Sequence, residues 1–347
     1  MNKFDERYEI RLAKYADIKM IMTFLNDHWR EGHIMAIDQT LFEYEYVNGE
    51  DVNFVLAIDR NSGLLEGIFG FLNCSQTADL NKKDIWGSMW KVVEIRNNIP
   101  FLGIELAKRV VELTKCRTQI GNGANPKTTV PLRKMFFKEK VDKMQHFYLL
   151  NNNIEEYKIA IVNELPNLNH NTTRKSKIVR LNSIEDLKSK FDIEKLNTIP
   201  YKDNWYFNKR YFEHPYYTYE VYGVTDERNE VGAILVCREV IHNGSKVLRI
   251  MDYLGEESLF EGLYNEFVCL IEDRNIEYID FYVYGFENQY ITNAGFVLKN
   301  ELDTNVIPNY FEPFLQSNVD IWIHYKLPST KFFKADGDQD RPNLIRR

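Results

Sequence analysis

Cysteine is scarce in this chain: Cys74, Cys116, Cys237 and Cys269 stand far apart in 347 residues and form no CxxC pair. That spacing excludes a thiolate zinc site and a disulfide framework, and the four read as buried free thiols of a reducing compartment. No run approaches the roughly 20 apolar residues that a bilayer-spanning helix needs. The opening MNKFDERYEIRLAKYADIKM carries charge where a signal peptide needs an apolar stretch. The expectation is a cytoplasmic protein without membrane insertion. Positive charge is not in excess either, since 44 Lys and Arg face 51 Asp and Glu for a formal net charge of -7. This excludes broad coating of nucleic-acid phosphates but leaves room for a local cationic pocket around one small anion.

What the chain does have is core-forming material. With 44% hydrophobic and 14% aromatic residues it is a folded globular protein, long enough for one large domain or two ordinary ones. The pattern runs twice. Tyr8 to Leu12 reads as a strand and Ala16 to Asn26 as a helix, with Ile18, Ile21, Met22 and Leu25 on one face. Two apolar stretches, Val52 to Ile58 and Leu64 to Leu72, flank the hairpin turn DRNSG. Trp86 to Ile95 follows as a strand, Gly103 to Leu113 as a helix, RTQIGN as a strand, a short helix around Leu132, Met135 and Phe136, and HFYLL as a closing strand.

Polar NELPNLNHNTTRKSK marks a linker, and the order then begins again. Strands at Lys177 to Leu181, Tyr217 to Val224, Glu230 to Glu239, Lys246 to Tyr253 and Tyr278 to Tyr284 alternate with helices at Ser183 to Phe191 and Leu259 to Asp273. The predicted organisation is α+β in two tandem halves: residues 1–150, a linker over 151–175, residues 176–331, and a flexible tail over 332–347 that belongs to neither core.

The element order, the strand and helix around Gly103, the Ala294-Gly295-Phe296 turn and the wording DHWREGHI, DIWGSMW and NYFEPF together resemble the GCN5-related N-acetyltransferase (GNAT) superfamily. Within it the chain looks like the tandem-domain members, of the anthrose-biosynthesis type, that acylate the amine of a nucleotide-linked amino sugar. The resemblance implies two GNAT-like domains, each a mixed, mostly antiparallel sheet flanked by helices. It implies acyl-coenzyme A as co-substrate, with a short acyl group, and no metal. A monomer or weak homodimer is expected.

The loop before Gly103 would wrap the CoA pyrophosphate, because a helix start offers unpaired N–H groups and partial positive charge. Ile95, Arg96, Phe101, Leu102 and Gly103 are the candidates there, with Asn125 and Lys127 after the next strand. In the second half Gly255-Glu256-Glu257-Ser258 occupies the matching entrance, where two carboxylates would repel a diphosphate, so one CoA is expected. Amide formation from a thioester needs no protein nucleophile, and direct amine attack is the expected route. Asp84 is the candidate proton acceptor and Ser88 the candidate orienting hydroxyl, with Ser88 and Trp90 on one strand face.

For the acceptor, His28 and His33 follow the first helix, and the aromatic segment NWYFNKRYFEHPYYTYEVYGV offers Lys209, Arg210, Tyr211, Glu213 and His214 to a nucleotide. Asn309, Tyr310, Phe311 and Glu312 form a loop for sugar hydroxyls. Each has a plainer alternative: a structural hydrogen bond for the histidines, a turn-forming side chain for Asn125, core packing for the rings, a turn cap for Asp84 and an ordinary sheet hydroxyl for Ser88. Two other functions stay open, acylation of another small amine or a peptide, and a non-catalytic CoA or nucleotide-sugar binder.

Overall fold

The computed structural model describes residues 2–93, 99–166 and 173–343. Four strands make an antiparallel meander: β1 (Tyr8–Lys14), β2 (Asp51–Asp59), β3 (Leu65–Asn73) and β4 (Asp84–Val92). The turn between β2 and β3 forms at DRNSG because the Asp59 carboxylate accepts the amide hydrogens of Asn61 and Ser62. Helix α1 (Leu102–Thr114) then crosses one sheet face and returns the chain to β5 (Thr118–Asn122), which runs parallel to β4. Its stripe of Leu102, Leu106, Ala107 and Val110 packs on Val55, Ala57, Phe69, Phe71 and Ile85, the inward-facing set of the meander. A short β6 (Lys140–Lys143) closes this sheet.

The second half repeats the plan. In its sheet β7 (Gln145–Leu150) lies beside β12 (Tyr278–Tyr284), followed by β11 (Ser245–Gly255), β10 (Val231–His242), β9 (Glu220–Thr225) and β8 (Lys177–Leu181). Helix α2 (Tyr264–Arg274) makes the crossover from β11 to its parallel neighbour β12. The helix Ile184–Lys190 begins as expected, with Ser183 Oγ accepting the Asp186 amide.

Strand membership departs from a simple division of the chain. HFYLL, read as the last strand of the first half, is β7 and pairs antiparallel with β12. In return β13 (Trp322–Tyr325) pairs with β5, through Ile323↔Asn122 and His324↔Gly121. One compact unit therefore holds the chain up to Asp142, Trp322–Pro328 and the segment from Arg341, while the other holds Lys143–Ile321 and Ser329–Asp340.

The linker is not a loose tether over its described part. The buried Glu277 carboxylate accepts the backbone amides of Lys158, Ile159 and Ala160, and Ile159 and Ala160 join a hydrophobic cluster with Tyr148 and Tyr278. The tail expected to fray is also packed. Phe332 and Phe333 are buried and pair with β12, and Asp340 lies under Arg238 and Tyr219. Acids spaced through FFKADGDQD hid this, because Lys202, the partner of Asp336, and Arg238 and Tyr219, the partners of Asp340, lie far back in the chain. Cys269 is exposed, unlike Cys74, Cys116 and Cys237.

Both units share one irregularity. Between Phe69↔Trp90 and Phe71↔Gly87 the strand β4 carries an extra residue, and between Val236↔Asp252 and Cys237↔Ile250 so does β11. Each bulge falls just past the last parallel pair, Trp86↔Ile120 in one unit and Ile250↔Phe281 in the other. A bulge bends and twists its strand, so the parallel partners part there. In the second unit Phe332–Ala335 fills the opening: Phe333 pairs with Val283, and the Ala335 amide donates to Met251 O at 2.9 Å.

Asp340 anchors that filling segment. Burial by itself would raise its pKa, yet Arg238 and Arg210 hold it below the ordinary carboxylate range. Asp340→Ala strands a buried arginine and should cost about 3–5 kcal/mol in urea unfolding. An unchanged midpoint would mean that the segment does not pack.

Candidate active site

The bulge in β4 sets the side-chain directions at the opening of the first unit. Strict alternation would put Ser88 and Trp90 on one face. The extra residue separates them: Ser88 shares a 2.7 Å hydrogen bond with the Tyr46 hydroxyl, whereas Trp90 lies 5.3 Å from Phe69 on the α1 side. Tyr46 ends the helix Gln39–Tyr46, which packs on the other sheet face through Phe42, Tyr46 and Phe54. Arg341 approaches the Tyr46 hydroxyl at 3.4 Å.

Asp84 is not a free base. It is 1% exposed, and Arg117 grips both its carboxylate oxygens, at 2.9 and 2.5 Å. It opens β4 opposite Thr118, so the ion pair holds together the joined end of the parallel pair.

At the helix start Phe101 precedes α1 with φ of 72°, a left-handed conformation that costs a non-glycine residue about 1–2 kcal/mol. Its ring is 62% exposed and stands 5.5 Å from that of Phe136. Leu102 instead sends its side chain into the core, leaving only its backbone at the entrance. Gly103 packs closely on Trp90: a Cβ there would lie 3.1 Å from Trp90 Nε1, so a larger residue would push the ring aside by a few tenths of an ångström. The first turn of α1 is thus set directly against the diverging part of β4. Ile95 and Arg96 lie outside the described residues. Asn125 and Lys127 are exposed, and Asn125 Oδ1 accepts the Lys127 amide, as in an ordinary turn.

Sequence reasoning missed a buried polar cluster beside this opening. Arg133 lies over the rings of Trp90 and Phe137 and donates to Gln119 Oε1 at 2.6 Å, with Glu139 at 3.5 Å. Glu139 in turn stands 2.7 Å from His324 Nδ1. His324 sits over Gly121, where a Cβ would fall 1.9 Å from Nε2, so glycine is obligatory there. Residues drawn from three separate stretches make up this cluster, and no local motif announces it.

The other acceptor candidates divide. His33 Nδ1 accepts the Met35 amide and caps the helix Ile34–Ile37, and His28 lies on the surface against Phe24. Tyr211 is core, donating to Asp252 at 2.5 Å among Tyr206, Phe207, Tyr217 and Tyr219. Arg210 is buried and donates to the carbonyls of Ala335 and Asp340, and His214 accepts the amides of Tyr216 and Tyr217. Lys209 lies over Trp205, and Glu213 is exposed. The aromatic segment is therefore a core, not a nucleobase platform, because its rings alternate inward between β8, β9 and the neighbouring short helices. Asn309 is buried and donates to the Tyr282 hydroxyl, Tyr310 bonds Gln339, and Phe311 packs with Phe314; Glu312 is half-buried beside them.

Burial and the adjacent Arg133 push His324 down to about 4, against the pull of Glu139, so the cluster holds one cation and one anion at neutral pH. An unfolded histidine titrates near 6.5, so the unfolded chain takes up the proton first. This group's stabilisation is complete above about pH 6.5 and is lost as pH falls through about 4. In His324→Gln the unfolding midpoint should fall less steeply between those values than in the parent. Parallel profiles would show that the imidazole is not held neutral.

No protein-family model and no curated protein matches the sequence. Solved structures do match the fold. A GCN5-related N-acetyltransferase from Anabaena variabilis superposes with a TM-score of 0.51 at 10% identity, over 92% of this chain and 72% of that one. A conserved protein of unknown function from Enterococcus faecalis, a probable N-acyltransferase, superposes with a TM-score of 0.52 at 11% identity, over 91% and 71%. With two mixed sheets, each with a parallel pair that parts at a bulge, the chain has the α+β fold of the GCN5-related N-acetyltransferases, laid out twice.

Proposed function

We propose that the first unit binds an acyl-coenzyme A and passes its acyl group to an amine. The observation that carries this reading is the parting of β4 from β5 beyond Trp86↔Ile120, with the start of α1 packed on Trp90 of the diverging strand. A strand released from its neighbour offers backbone groups to the amides of the pantetheine arm. The helix start offers N–H groups and partial positive charge to the pyrophosphate. Phe101 and Phe136 give exposed ring surface beside it. Ile95 and Arg96 keep their assignment to the pyrophosphate loop on the sequence reading.

In the reaction a neutral amine attacks the thioester carbonyl, the new C–N bond forms, the C–S bond breaks, and the amine proton passes through water to the departing thiolate, which leaves as the free thiol of CoA. Ser88, held by Tyr46 on the bulge, is the hydroxyl placed to orient the reactants. Asp84 acts at a distance, through Arg117 and the joined strand end. The acceptor we propose is the amine of a nucleoside-diphosphate-linked deoxyamino sugar. Two of the motifs behind that choice meet on one sheet face, since DHWREGHI leads into the helices that carry Tyr46 to Ser88 of DIWGSMW.

Calorimetric titration with coenzyme A should give one site per chain, because the second unit's own chain fills the equivalent opening; two sites, or none, would refute the assignment. Thiol release should require both acyl-CoA and an amino-sugar nucleotide. Release with small amines or lysine peptides alone would transfer the activity to those acceptors, and saturable binding without release under any acceptor would leave a CoA-binding protein. Ser88→Ala should lower kcat on the order of 100-fold with CoA affinity kept, and unchanged kcat would remove Ser88 from the site.

A further inference from the structure

In the second unit a set of buried charges surrounds β11, β12 and the segment that follows Phe333. Lys202 pairs with Asp252 and Asp336, Arg238 with Asp340, and Arg249 with Asp280, while Arg210 donates to two carbonyls. Lys334 is left over. It is 1% exposed, and its Nζ has no hydrogen-bond partner among the described residues. Its nearest cover is aromatic, with the Tyr310 ring centroid at 4.7 Å and that of Tyr282 at 5.7 Å.

A second orphan borders the same ring. Asn309, 2% exposed, donates through Nδ2 to the Tyr282 hydroxyl at 2.7 Å, and its Oδ1 has no partner among the described residues. An unsatisfied buried donor and an unsatisfied buried acceptor each cost more than an ordinary hydrogen bond is worth, and an unpaired buried cation costs more still. One guest meets both needs: an oxyanion that also bears a hydroxyl. Its charged oxygens take the Lys334 hydrogens, and its O–H donates to Asn309.

We propose that Lys334, Asn309 and Tyr310 enclose a binding site in the second unit for a small hydroxylated oxyanion, a phosphate group or a hydroxy-carboxylate. The site is separate from the acyl-CoA reading of the first unit and does not depend on it. Burial and the neighbouring Arg249 push the Lys334 ammonium down to about 7, against the pull of Asp340 and Asp280, so its charge is weakly held. A bound anion restores it.

The test is thermal unfolding of the full chain at one ionic strength in chloride, acetate, glycolate and inorganic phosphate. Phosphate or glycolate at about ten times its dissociation constant should raise the second unit's midpoint by about 3 °C over chloride, and acetate, which lacks the hydroxyl, by less. Which of the two acts identifies the ligand class. Lys334→Met should lose the shift yet unfold in chloride no earlier than the parent, since an apolar chain replaces an unpaired cation. Equal midpoints for the parent in all four salts would mean that trapped water satisfies the two groups, and would overturn the proposal. So would a shift that survives in Lys334→Met. Equilibrium dialysis of labelled phosphate and glycolate against the parent protein gives a reading independent of variant folding: one bound per chain supports the site, and binding of neither refutes it.

Discussion

A parallel strand pair clamped at one end and released at the other is the constraint on which the first unit depends. Arg117 on Asp84 secures the joined end, and three residue pairs later the bulge at Ser88 and Met89 turns β4 away. One inserted residue does three things at once. It opens the sheet, sends Ser88 toward Tyr46 and Trp90 toward α1, and so places a hydroxyl on one side of the opening and an aromatic floor under the helix start on the other. The fold needs no special residue at the bulge for this, because bending follows from backbone pairing.

The second unit has the same device and a different outcome. Its strands part at Met251, but the chain returns from far downstream and fills the gap with Phe332–Ala335. Filling an opening with backbone alone would strand polar groups. The structure meets that requirement with β-pairing to β12 and with ion pairs sunk beneath it, Lys202 to Asp336 and Arg238 to Asp340. Buried pairs of this kind add little net stability over an apolar core, but breaking one is costly, so they fix where the segment must lie. At the entrance, Glu257 faces Lys331 of the same returning segment, which accounts for acids where the first unit would have a diphosphate loop.

Much of this was legible in advance. The meander, the DRNSG turn, both crossover helices and the tandem plan follow from periodicity and turn chemistry, which are local. The errors have a common origin in long-range pairing. HFYLL has strand periodicity wherever it is placed, and nothing in its letters says that β12 is its partner. Asp84 read as a candidate base because Arg117 is 33 residues away in sequence, and the aromatic run read as a platform because its rings pack on one another only once β8 and β9 are paired. Arg133, Glu139, His324 and Lys334 escaped notice for the same reason.

What the amino-acid order settled by itself is therefore the set of elements, their two-fold repetition and the apolar faces that drive them together, since period and capping act within a few residues. The tertiary structure alone decided which opening the chain itself fills, which carboxylates are spent on arginines, and which polar atoms are left without partners among the described residues. Those outcomes depend on distances between residues far apart in the chain, from about thirty positions for Asp84 and Arg117 to more than a hundred for Arg238 and Asp340, and a charge or a hydroxyl acquires its role only from what is brought beside it.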